Sequence, residues 1–181
     1  MDNRSLSRLG GIAAIVSAVL YVVSLGVQFA GGAGGLGQTL YVISSLLVLV
    51  VLVVLYLELR STTGLLALGG LVLLGVTTIW SLFVDPTQMN PLMGVLAMVY
   101  GAGFVLFGWA QRGSGRHPGV LGLLAIITGA LAIIAGVALI AGASFDIFGL
   151  FNLVLSVPFV IWLVWLGWRF LKGRAASAQP A

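Results

Sequence analysis

The chain predicts an all-α fold: a polytopic integral membrane protein with six transmembrane helices in a compact bundle, N-in and C-in. Three observations carry that expectation. First, 61% of the residues are hydrophobic and only 7% are charged. A soluble domain covers its surface with about 25% charged residues, so lipid has to be the solvent here. Second, the apolar residues fall into six stretches, 10–29, 39–57, 65–84, 92–111, 120–141 and 148–168. Each is about 19–22 residues, which at about 1.5 Å per residue matches a hydrocarbon core of roughly 30 Å. Third, the charges lie outside these stretches, and all eight Lys/Arg fall in alternate gaps. Arg4 and Arg8 precede the first stretch, Arg60 follows the second, Arg112 and Arg116 follow the fourth, and Arg169, Lys172 and Arg174 follow the sixth. Basic residues are retained on the cytoplasmic side, so both termini are expected there, in a cell (inner) membrane.

The first stretch follows Arg4 and Arg8 and precedes the small residues 30–35, a layout shared with signal peptides. A signal core is about 7–15 apolar residues. The longer run here reads as a signal anchor that stays as the first helix. The connections are short. The segment 31–37 is nearly all glycine, 58–64 carries Glu58 and Arg60, and 85–91 is bounded by Asp85-Pro86 and Asn90-Pro91. Segments 112–119 and 142–147 complete the set. Gaps of this length make neighbouring helices antiparallel hairpins. The whole chain, 1–181, is then one transmembrane domain with a flexible tail at 172–181.

Small residues recur every seven positions. Gly94, Gly101 and Gly108 lie on the fourth stretch, Gly122, Gly129 and Gly136 on the fifth, and Gly10, Ser17, Ser24 and Gly31 along the first. A seven-residue repeat keeps one narrow stripe turned toward a neighbour. Small residues on that stripe let two backbones approach, and such packing drives helix association in lipid. These stripes are expected to be packing seams, with a tight hairpin between the fourth and fifth helices.

The composition excludes much chemistry. With no cysteine there is no disulfide, thiolate metal site or iron–sulfur cluster. One histidine, His117, cannot by itself ligate a haem twice, and it reads as a solvated loop residue. The single lysine, Lys172, lies past the last stretch. No phosphate-binding glycine loop, His-Glu-x-x-His zinc motif or nucleophile elbow is present. No cofactor and no metal are expected. The basic balance is explained by topology rather than by nucleic acid, so the expected partners are membrane lipids together with a membrane-protein partner or a second copy of the chain.

Asp85 and Asp146 are the only charges of the outer face. As a pair they could bind a cation or relay protons; as turn residues they are simply solvated. Gln28, Gln38, Asn90 and Asn152 lie near the same side, and with Tyr41, Thr77, Thr78 and Ser81 they could line an outward polar site. The plainer reading is hydrogen bonding between helices, because polar groups in lipid need partners. Trp162, Trp165 and Trp168 run along the sixth stretch; Trp168 and Trp109 fit an interfacial belt, and Trp162 fits the core. Pro158 predicts a kink in the same helix.

Several runs taken together resemble an uncharacterised bacterial membrane family, domain-of-unknown-function family 4386. They are Ser7-Arg-Leu-Gly-Gly-Ile-Ala-Ala14, Val54-Leu-Tyr-Leu-Glu-Leu-Arg60, Gly103-Phe-Val-Leu-Phe-Gly-Trp-Ala110, Arg116-His-Pro-Gly-Val-Leu-Gly-Leu-Leu-Ala125 and Leu163-Val-Trp-Leu-Gly-Trp-Arg-Phe-Leu-Lys-Gly173. The resemblance implies a six-helix fold and brings no catalytic residues. The expected function is that of a non-enzymatic integral membrane protein, an accessory or scaffold subunit. The alternatives are a small transporter or binding protein for an apolar solute or lipid, using the outer polar site, and a membrane-embedded enzyme acting on lipid.

Overall fold

The computed structural model describes residues 3–30, 35–81, 83 and 91–172, and all regular structure among them is helical. The helices are α1 (Asn3–Phe29), α2 (Gly35–Ser81), α3 (Pro91–Gly113), α4 (Gly119–Ile140) and α5 (Phe145–Leu171). All five are long and apolar enough to cross a membrane. In each, only 28–39% of the most apolar window is buried inside the protein. The outward faces carry Ile12, Val19, Val72, Val76, Val154, Val157 and Ile161 among many exposed aliphatic side chains. Water does not tolerate apolar surface on this scale, so the outward faces belong against lipid.

The helix count departs from the expected six stretches. Residues 58–64, expected as a connection, are helical, and α2 joins the second and third stretches across a break at Thr63 (φ −131°, ψ 37°). Polarity ends a membrane stretch, but it does not end a helix: Glu58, Leu59 and Arg60 are good helix formers. The break falls where Thr63 Oγ1 turns away to donate to the Ala110 carbonyl (3.1 Å). Other helix ends overrun their apolar stretches for the same reason. α1 begins at Asn3 rather than 10, and α5 spans Phe145–Leu171 rather than 148–168. Pro91 opens α3, where its missing N–H costs nothing. α4 ends as expected of a glycine stop. Gly142 has φ +90°, its N–H bonds the Leu139 carbonyl, and the Ala143 N–H reaches Ala138. α5 continues through Pro158, which has no N–H to return to Val154. The expected tail lies largely outside the described residues.

The helices form two compact units. The first comprises Met1–Leu55 and Leu163–Ala181. In it α1 runs antiparallel to the start of α2: Gly10 meets Val54, Ser17 meets Ser44 and Ser24 meets Gly37. It also runs antiparallel to the end of α5, with Ser7 bonded to the Phe170 carbonyl (3.3 Å) and Gly11 against Gly167. Gly10 and Gly11 thus serve two different neighbours. Ala14, Ala18, Val51, Leu52, Leu55, Leu163 and Leu166 fill this unit's interior.

The second unit is Tyr56–Trp162. The later part of α2 packs antiparallel to α3, Gly70 against Phe107 and Gly103 against Leu74. α3 in turn packs antiparallel to α4 along the glycine stripes. A Cβ on Gly94 would stand 2.7 Å from the Gly136 carbonyl oxygen, and one on Gly108 2.6 Å from that of Gly122. Gly101 and Gly129 oppose each other more closely still. Each approach is reciprocal, so the hydrogen occupying the Cβ direction points at the facing carbonyl. Such Cα–H···O contacts are worth about 0.5–1 kcal/mol each. The expected seam between these helices is therefore present. Phe104 packs edge-on against both Phe159 and Trp162, with centroids 5.6 and 5.5 Å apart, and closes the other face of α3.

Candidate functional site

The outer polar residues are placed piecemeal. In the first unit, the exposed Gln28 lies at the end of α1 and donates to Ser24 Oγ (3.0 Å). Ser24 donates in turn to the Gly37 carbonyl (2.9 Å). The Gln28 stem also lies over Gly37, so this pair of side chains staples the 24–37 end of the hairpin. Gln38 sits in the first turn of α2 and is exposed. In the second unit, Asp146 is exposed in the first turn of α5, and Asn152 is half-buried, donating to the Phe148 carbonyl of its own helix (2.9 Å). Six residues are about 1.7 turns, so Asp146 and Asn152 point to different faces. Asp85 and Asn90 lie outside the described residues.

Two of the hydroxyls expected to line the same site, those of Thr77 and Ser81, are satisfied along their own helix. Thr77 donates to Leu73 and Leu74 carbonyls (2.8 and 3.1 Å), and Ser81 to Thr78 (2.8 Å). The rings of Tyr21 and Tyr41 face each other at 6.4 Å. Thr77 and Ser81 do what polar groups in lipid must do: they find a carbonyl.

A denser polar cluster stands at the basic end of the second unit. α3 ends at Gly113, and the chain turns through Gly115 at φ +65° before α4 starts after Pro118. Ser114 Oγ donates to the Gln111 carbonyl (2.8 Å) and receives the Arg116 N–H (3.2 Å). Arg116 Nη1 donates across to the Glu58 carbonyl on α2 (2.6 Å). His117 follows and is only 9% exposed. Its Nε2 lies 3.5 Å from Glu58 Oε2, within ion-pair reach when the ring is protonated. One turn earlier, fully buried Gln111 accepts the indole N–H of fully buried Trp162 through Oε1 (3.1 Å). Among the described residues, Gln111 Nε2 and both ring nitrogens of His117 have no hydrogen-bond partner.

One of these placements differs from the sequence expectation, and a second had no expectation attached to it. His117 is buried against Glu58 instead of solvated in a loop. Gln111, the last residue of an apolar stretch, is an interior polar residue. The available signal was adjacency: Arg116-His117-Pro118 puts a ring just before a helix start, where the chain must fold back onto α3. Glu58 and Arg60 are not a pair, as expected from their spacing, and Glu58 turns instead to 116–117. Trp162 is core, while Trp165 and Trp168 are outward and Lys172 Nζ sits 4.6 Å over the Trp168 ring.

Chemically the cluster offers one carboxylate and one imidazole. A metal site of the zinc kind needs at least three protein ligands, and the described residues hold no group of three His, Cys, Asp or Glu that could supply them. What the arrangement does is tie α2, the 114–118 turn and α3 together at one end. Helical throughout its described structure and apolar on its outward faces, the chain belongs to the class of helical membrane proteins. Comparison with family models, curated proteins and solved structures finds no match.

Proposed function

We propose that the chain is a non-enzymatic integral protein of the cell (inner) membrane, crossing it six times with both termini cytoplasmic, and that it serves as an accessory or scaffold subunit. The observation that carries this reading is where the polar and small side chains go. Ser7, Ser17, Ser24, Ser44, Thr63 and Gln111 each bond across a helix pair. Three glycine pairs bring α3 and α4 together. These are the devices by which membrane helices associate, and little polar chemistry is left over for turnover.

The six crossings rest on length and charge. As one straight rod, the 47 residues of α2 would reach about 70 Å, more than twice a hydrocarbon core of roughly 30 Å. A crossing on either side of Thr63 fits the bilayer and leaves Glu58 and Arg60 at its edge. The charge pattern agrees within each unit. Ser7, between Arg4 and Arg8, meets Phe170, between Arg169 and Lys172. Arg116 meets Glu58, two residues from Arg60. Basic segments thus gather at one end of each unit, as the retention of Lys and Arg in the cytoplasm requires. Membership of family 4386, on the runs quoted above, is part of this proposal.

The test is purification from native membranes under mild detergent, with mass spectrometry of what accompanies the chain. A stoichiometric membrane-protein companion is the expected result. A solitary chain that turns over a substrate would overturn the reading.

A further inference from the structure

We draw no further inference here: the strongest candidate, the half-buried Glu58 beside buried His117 with the Gln111 Nε2 at the basic end of the Tyr56–Trp162 unit, belongs to the site already described, and no third metal-ligating group stands against it among the described residues.

Discussion

Single side chains decide stability here through backbone approach and hydrogen-bond balance. A methyl at Gly101 or Gly129 has a carbonyl in its place, not a yielding side chain. Gly101→Ala or Gly129→Ala should each cost about 1–3 kcal/mol through overpacking, read as a lowered Tm in detergent. Gly75, where a Cβ meets nothing, is the control: Gly75→Ala should be neutral or stabilising by about 0.5–1 kcal/mol. Equal effects at Gly75 and Gly101 would mean the seam is not tight. Ser17 and Ser44 exchange hydroxyl-to-carbonyl bonds in both directions (3.2 and 3.0 Å). Their hydroxyls also lie 3.2 Å apart; a double-mutant cycle with Ser17→Ala and Ser44→Ala reports that hydroxyl–hydroxyl contact and should return a coupling of about 0.6 kcal/mol, the average for polar contacts between membrane helices. Gln111 is a different case, because half of its amide is already orphaned. Trp162→Phe strands Oε1 as well, and a stranded buried group costs about 1–3 kcal/mol. Adding Gln111→Leu should then recover part of the loss, since no buried polar group is left behind. If the second substitution deepens the loss, Nε2 has a partner and the account of this residue fails.

At the level of elements, what the sequence reveals depends on which physical property is being read. Apolarity marks where lipid is, and it located the helices. Helix propensity marks where the backbone keeps its bonds, and it carries α1 back to Asn3 and α2 through Glu58 to Thr62. The ends were therefore legible only as membrane edges. The glycine and serine stripes were legible because a seven-residue period is itself geometric: Gly10, Ser17 and Ser24 all face α2, the α3 and α4 stripes face each other, and Gly31 lies outside the described residues. Gly70, Gly103 and Gly167 also form close contacts, chiefly with side chains and without a long repeat, and periodicity alone could not have picked them out. Asp146 was read as a turn residue or a ligand; it stands in the first turn of α5, where a carboxylate offsets unpaired N–H groups. Asp146→Asn should therefore lower stability by only about 0.3–1 kcal/mol, measured by thermal unfolding in low salt. A much larger loss would give the carboxylate a partner beyond its helix terminus.

For the molecule as a whole, the decisive measurement is topology. The chain has no cysteine, so single substitutions report side without background. Ser61→Cys and Ser144→Cys, both at exposed positions, should react with a membrane-impermeant thiol reagent from opposite faces, Ser61 from the cytoplasm. Labelling of both from one side would remove a crossing from the six proposed. Membrane character was legible from composition alone. The candidate site was far less so, because burial of His117 depends on how the 114–118 turn lies against α2, and Gln111 finds its partner in Trp162 of α5. The order Arg116-His117-Pro118 places the ring before a helix start, but local sequence does not encode what either residue packs against.

The matched glycines of α3 and α4 have one more consequence. Three identical marks at equal spacing make a ruler that reads the same after a shift of one repeat: sliding the helices by seven residues would still align two of the three pairs. The seam therefore fixes how close the helices come, and leaves their alignment to something else. The short tether between Gly113 and Gly119, pinned by Ser114 and by the Arg116 grip on Glu58, selects one reading. Adhesion and alignment are thus assigned to different residues, and lengthening the tether would loosen the second while sparing the first.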